Sequence, residues 1–259
     1  MDDTTRDEGP AAVLVLGATG RTGRHVVDGL LRRGSRVRAL VRRPDEAALP
    51  DGVVVVPGDL GDAASVARAA AGTRAAFLLW PGLEATGADG VVQALAEHVD
   101  HVVLLSAADL HATGPDRPMP GVWADLESLL LRARTTHTFV RAGGFAANTL
   151  GWAEQVRRGD TVRLPFPRAG RSLVDERDLA EVAVAALTEP RWRGSALTVT
   201  GPETLTQAEQ VHTVAELLGR ALRVEEQPAE EAHAELAAGL GEAFARSSLA
   251  YWASLVAGP

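Results

Sequence analysis

The 259-residue chain contains no cysteine, which excludes disulfides, thiolate nucleophiles and sulfur-ligated metals. Lysine is missing too: all 26 basic residues are arginine, so Schiff-base chemistry and a lysine general base are also excluded. Isoleucine is absent as well. Codon bias in a GC-rich genome explains such losses on a surface, but it does not explain losing an essential catalytic lysine. Tyrosine occurs once, at Tyr251. No apolar run reaches about 18 residues, and no positively charged start leads into an apolar core. The expectation is a cytoplasmic protein without membrane association, with residues 1–10 (MDDTTRDEGP) an acidic, disordered tail. A net charge of −8 offers no basic face to displace counterions, which argues against nucleic acid as a partner.

What is present begins with Ala11–Val27, AAVLVLGATGRTGRHVV. A buried-strand run, Val13–Leu16, breaks into Gly17-Ala-Thr19-Gly20-Arg21-Thr22-Gly23 and continues as a helix with apolar positions Val26, Val27, Leu30 and Leu31. Closely spaced glycines after a strand bring bare backbone up to a ligand. The helix that follows aims its first N–H groups at that ligand, and a diphosphate is the anion such a turn is shaped to hold.

Further strands are predicted at Arg36–Val41, Val53–Val56, Ala75–Leu79, Val102–Leu105 and His137–Arg141. Helices are predicted over Ala63–Ala71, about Gly90–Glu97 and Gly121–Arg134. This alternation predicts an α/β fold, a doubly wound parallel sheet whose ligand sits at the carboxyl ends of the strands. Beyond Gly144 the pattern is less regular. Helix is expected over Leu150–Arg158, Asp178–Leu187, Thr206–Gly219 (with a threonine cap) and from Ala229 onward, and strands at Thr161–Leu164, Ala196–Thr200 and Leu222–Glu226. The reading divides the chain into a dinucleotide-binding core, 11–150, and residues 151–259, which supply the last sheet strands and a small C-terminal lobe covering the substrate.

The strand ends supply the candidate cofactor residues. The second strand closes on Arg42-Arg43, with no acid before Pro44, which suits a 2′-phosphate and favours NADP(H) over NAD(H). Arg21 is either a second phosphate contact or a solvated helix start. Asp59 and Leu60 either meet the adenine, or Asp59 caps the helix that follows. Trp80-Pro81 borders the ribose and nicotinamide, or Trp80 plugs the core.

The segments GATGRTG (Gly17–Gly23), VRRP (Val41–Pro44), GDL (Gly58–Leu60), LLSAA (Leu104–Ala108), WADLESLL (Trp123–Leu130), TFVRAGGFAAN (Thr138–Asn148), RSLVDERDLAEVAVAAL (Arg171–Leu187) and LTVTGPETLT (Leu197–Thr206) follow one another along the chain. In this order they resemble the short-chain dehydrogenase/reductase superfamily, and within it the atypical NmrA-like group. The resemblance implies a Rossmann core binding NADP(H), with Ser106, Gly144 and Phe145 near the cofactor. It also exposes a departure. Orthodox members carry a tyrosine and a lysine four residues apart ahead of a helix glutamate, here Glu127. The lysine position holds Trp123 and the tyrosine position Met119, so of that constellation only Ser106 survives.

Without the dyad, the expected activity is hydride transfer to a quinone, enone or similar conjugated small molecule, whose anion needs no strong protein acid. His111 is then the candidate proton donor, or a solvent-exposed loop histidine. Met119, Trp123, Phe145, Asn148 and Trp152 are candidates to line an apolar substrate pocket, with Asn148 its polar anchor, and each could equally pack the core. Two other functions stay open: a non-redox tailoring enzyme catalysing cyclisation or elimination, and a non-catalytic redox sensor. No metal is expected, and the sequence leaves oligomeric state open.

Overall fold

The computed structural model describes residues 12–108 and 121–256, so the tail expected at 1–10 lies outside the described residues. Strand β1 (Ala12–Leu16) is followed by α1 (Arg21–Arg32), β2 (Val37–Val41), β3 (Val53–Pro57), α2 (Ala63–Ala70), β4 (Thr73–Leu78), α3 (Ala88–His98), β5 (His101–Ala107), α4 (Val122–Arg132) and β6 (Thr136–Ala142). Then come α5 (Ala153–Arg158), β7 (Thr161–Leu164), β8 (Gly170–Arg171), α6 (Glu176–Thr188), β9 (Ala196–Val199), β10 (Leu205–Thr206), α7 (Gln207–Leu218), β11 (Arg223–Glu226), α8 (Ala229–Leu240) and α9 (Glu242–Ser254).

Seven strands form a parallel sheet in the order β3-β2-β1-β4-β5-β6-β9, with helices packed on it, the predicted doubly wound Rossmann arrangement. From β1 the chain moves outward to β2 and β3, then crosses back to place β4 on the other flank of β1. The strand order reverses there, and a reversal opens a crevice at the carboxyl ends of the two diverging strands. β1 is buried end to end after its first residue, as a central parallel strand covered on both faces must be. At the other extreme, β3 is an edge strand, and its alternate valine Val54 is exposed.

The chain is organised as two compact units. One comprises the described residues up to Ser106 with Val122–Arg141 and Glu176–Thr198; the other is built mainly from Ala142–Asp175 and the chain from Val199 onward. In the first, Leu14, Leu16, Leu78, Leu95, Leu104, Leu126 and Leu130 form a fully buried core between the sheet and its helices. In the second, Val156, Val162, Leu164 and Val211 make a smaller core. Among the described residues beyond Gly144, only β9 joins the large sheet. β7 pairs with β11 in parallel, and β8 with β10 antiparallel.

Local chemistry explains where elements begin and end. Thr206 caps α7 through a full capping box: its hydroxyl accepts from the Glu209 N–H, and the Glu209 carboxylate accepts from the Thr206 N–H. The helix expected from Leu150 starts later. Ala146–Trp152 winds as a tighter 3-10 stretch and the α-helix begins at Ala153. Asn148, Thr149 and Gly151 are weak formers of helix interior, and the Thr149 hydroxyl is spent on the Ala146 carbonyl.

His101, at the start of β5, is buried between the hydroxyls of Thr136 and Thr138. Burial, helped by the charge of Arg193, holds its imidazole down at about 4, against 6.5 for a free histidine. Between those values the unfolded chain takes up a proton that the folded chain refuses, so this residue lowers stability as pH falls from 6.5 toward 4. A His101→Gln variant is expected to show a shallower loss of Tm than the parent across that window. Parallel slopes by calorimetry would contradict the assignment.

Candidate dinucleotide and active site

The parallel sheet brings the sequence-predicted cofactor residues of the first unit to one edge. The Gly17–Gly23 turn follows β1, Arg42 and Arg43 follow β2, Asp59 and Leu60 follow β3, Trp80 and Pro81 follow β4, and Ser106 is the penultimate residue of β5. At the turn itself, Gly17 has φ +88° and its carbonyl accepts from the Gly20 N–H at 2.9 Å. A Cβ on Gly23 would lie 2.0 Å from the Gly17 oxygen, so only glycine lets α1 start this close to the strand. Gly20 supplies no capping side chain, and the first turn of α1 holds no acid to compete for its free N–H groups. That leaves an electropositive helix end facing the crevice where the strand order reverses.

The arginines after β2 separate by their partners. Arg43 is tied to Glu46 at 2.6 Å, whereas Arg42 is exposed and has no partner among the described residues. An arginine standing free at this strand end suits a phosphate. Arg21 is exposed, Thr22 is buried and Thr19 uses its carbonyl to hold Arg24. Asp59 does not cap α2. Its carboxylate accepts from Gly61 N–H, and the cap is Asp62, which accepts from the N–H groups of Ala64 and Ser65. Leu60 and Trp80 are half-buried against the core; the Trp80 indole also donates to the Glu84 carbonyl at 2.8 Å, pinning the loop that follows, and Pro81 is exposed.

Ser106 is fully buried and directs its hydroxyl proton to Glu127 Oε1 at 2.6 Å. Glu127, 1% exposed, is in turn gripped bidentately by Arg141, from Nε at 2.9 Å to Oε1 and from Nη2 at 2.6 Å to Oε2. From Ser106 and Arg141 the carboxylate thus receives three hydrogen bonds, two of them from a guanidinium that it neutralises. A serine hydroxyl has one proton. With that proton committed, Ser106 can accept from a ligand but has none left to donate. The sequence reading missed Arg141, although one charged residue inside the apolar strand TFVRA was a visible sign that a counter-charge had to be buried beside it.

In the second unit, Gly144 lies at φ +156° and the turn is stitched by backbone bonds: Val174 N–H to the Gly144 carbonyl at 2.8 Å, and Ala146 N–H to the Val174 carbonyl at 2.9 Å. Phe145 is half-buried, Asn148 is exposed with its side chain unbonded among the described residues, and Trp152 packs on the small core. Trp123, on α4, packs partly buried against the large core. His111 and Met119 lie outside the described residues. No group of residues that could hold a metal occurs among the described residues.

The chain belongs to the NmrA-like family, whose model matches residues 10–252. It is 37% identical over 242 residues to the (4-alkanoyl-5-oxo-2,5-dihydrofuran-3-yl)methyl phosphate reductase of Streptomyces griseus, covering 91% of this chain and 86% of that one. It is 31% identical over 218 residues to an NAD(P)H azoreductase of Xenophilus azovorans, covering 82% and 75%. Among solved structures it is similar to the triphenylmethane reductase of Citrobacter sp. (TM-score 0.80, 23% identity, 95% of this chain and 90% of that one). It is similar as well to an NADPH-dependent quinone oxidoreductase of Escherichia coli complexed with NADPH (TM-score 0.80, 20% identity, 94% and 90%).

Breaking the buried pair from one side leaves a charge without its partner. Glu127→Ala is expected to cost about 2–4 kcal/mol in urea unfolding, discounted for the partial exposure of Arg141. A Glu127→Leu/Arg141→Met double variant should recover most of that loss. A Glu127→Ala chain as stable as the parent would show that the pair holds nothing together.

Proposed function

We propose that this protein is an NADP(H)-dependent reductase of conjugated small molecules, acting where hydride addition leaves a delocalised anion. The observation that carries the reading is a pair of facts about one sheet edge: a phosphate-ready glycine turn, and a buried serine whose only proton is already given away. When bound, the nicotinamide supplies the hydride. The protein's own work is then to bind, orient and exclude water.

The residues fit that cofactor. The backbone of Gly17–Gly23 would hold the diphosphate, and Arg42, with no carboxylate partner among the described residues, the 2′-phosphate. Asp59 and Leu60 would border the adenine and Trp80-Pro81 the ribose, with Gly144 and Phe145 toward the nicotinamide. Ser106 would serve as an acceptor, held still by Glu127 and Arg141. Trp123, carried by the first unit, and Phe145, Asn148 and Trp152, carried by the second, remain the proposed substrate contacts.

Substrate chemistry explains why this site can dispense with a tyrosine–lysine dyad. Reducing a simple ketone builds an alkoxide, a strong base that has to be protonated as it forms. Adding hydride to a quinone gives a phenolate-like anion. Adding it to the alkene of an acyl-butenolide, the core named in the Streptomyces griseus relative, gives a carbanion flanked by two carbonyls. Both are weak bases that take a proton from water. The names of the relatives, a butenolide phosphate reductase and an azoreductase, support substrates of this electron-poor, conjugated kind.

Purified protein mixed with NADPH and a panel of quinones, acyl-butenolides and plain ketones tests the reading through the absorbance of the reduced nicotinamide. Turnover is expected on the conjugated acceptors and not on the ketones. Oxidation of NADPH by simple ketones, or by none of the panel, would overturn it. Arg42→Ala should weaken NADPH at least tenfold while leaving NADH nearly unchanged, and Arg43→Ala, already paired to Glu46, should change either little. Equal losses for both coenzymes would remove the 2′-phosphate assignment.

A further inference from the structure

Arg171, on β8, is a half-buried arginine with no acid to answer it among the described residues. Among the described residues it makes one hydrogen bond, from Nη2 to the Gly143 carbonyl at 3.2 Å, and its guanidinium lies 5.2 Å from the centre of the Tyr251 ring. Its Nε is closed off from solvent and donates to nothing. The guanidinium lies flush on bare backbone: a Cβ on Gly144 would stand 2.7 Å from Nη2. Neighbouring arginines of the same unit are satisfied in ways this one is not. Arg163 holds Glu225 and Glu231, Arg223 holds Asp160, and Arg220 takes the Val156 and Gly159 carbonyls at the end of α5, where the helix dipole is negative.

A guanidinium keeps its charge, and an aromatic face with one carbonyl is a poor exchange for the water it gives up on burial. Tyr251 supplies a wall that orients the fork, and Gly144 the room to seat it. What the arrangement lacks is an oxyanion. The turn involved, Gly143-Gly144-Phe145, is the one proposed above to face nicotinamide and substrate.

We propose that Arg171, seated on the Gly143-Gly144 backbone against Tyr251, binds an oxyanion carried by the substrate, a phosphate or a carboxylate. This inference rests on the reductase reading and narrows it: the preferred acceptor is a conjugated enone or quinone bearing an anionic group a few bonds from the reacting carbon. With Nε closed off, the oxyanion would meet the terminal Nη1 and Nη2 N–H groups, and this planar two-point recognition distinguishes arginine from other cations.

The probes are an acyl-butenolide methyl phosphate, the matching carboxylate and the uncharged alcohol. With parent enzyme and NADPH, kcat/KM should favour the two anions over the alcohol by at least tenfold. Arg171→Gln should remove that preference by raising KM for the anions, leave turnover of the alcohol unchanged, and leave the NADPH dissociation constant unchanged. Arg171→Lys should restore part of the preference. A larger gain for the phosphate than for the carboxylate, or the reverse, identifies which oxyanion the site takes. Equal kcat/KM for anion and alcohol in the parent would overturn the inference while the reductase reading stood. A loss of NADPH affinity in Arg171→Gln would also overturn it, by giving the arginine to the cofactor. Calorimetric titration of the NADP+-loaded protein with the same three probes separates the two failures. Arg171-dependent binding of the anions without any turnover would sustain the oxyanion site and refute the reductase. No anion preference in binding would refute the site itself.

Discussion

Gly23 stands against the carbonyl of Gly17 at a separation no side chain would survive, and much of the first unit depends on that approach. It lets α1 start directly off the end of β1, at the place where β2 leaves on one side and β4 returns on the other. The helix is therefore anchored where the sheet has its natural crevice, with its uncapped end turned toward it. Any residue with a Cβ at position 23 would push the helix outward. The free N–H groups would then no longer converge, and the apolar face of Val26, Val27 and Leu30 would lose its fit on the sheet.

The second constraint is electrostatic. Ser106 and Glu127 are taken out of water, with the half-buried Arg141 beside them, and the three bond to one another. Such a cluster costs desolvation and returns geometry: one hydroxyl held in one orientation. The consequence for chemistry is restrictive, because a proton aimed at a carboxylate is not offered to a substrate. Together with the absence of lysine anywhere in the chain, this turns the proposed reductase away from alkoxides and toward acceptors that stabilise their own charge. Arg171 adds a cation of the opposite kind, one the fold leaves unanswered.

Much of the first unit was legible in the sequence because parallel strands and their helices write period and punctuation plainly. The glycine turn and the strand ends fall where the pattern put them, as does the Thr206 cap in the second unit. What was hidden depended on side-chain choices that spacing leaves open. Glu46 lies close in sequence to both Arg42 and Arg43, and only the folded turn shows that it pairs with the second. Nor does anything local show that Asp62 rather than Asp59 caps the next helix, a choice decided by three residues of register. The late start of α5 traces to Asn148 and Gly151, whose preferences an apolar-periodicity reading underweights. Arg141 carried a signal, a charge within a buried strand. Arg171 carried none, since its isolation exists only in three dimensions.

The account stands or falls on whether a nicotinamide hydride reaches carbon with no protein acid taking part. The direct measurement uses NADPH deuterated at the transferred position with an acyl-butenolide in ordinary water, reading the product by NMR and the rate in light and heavy water. The account predicts deuterium on the carbon β to the carbonyls, solvent hydrogen on the carbon between them, and a rate nearly indifferent to heavy water. Product without the label, or a rate falling severalfold in heavy water, would contradict it.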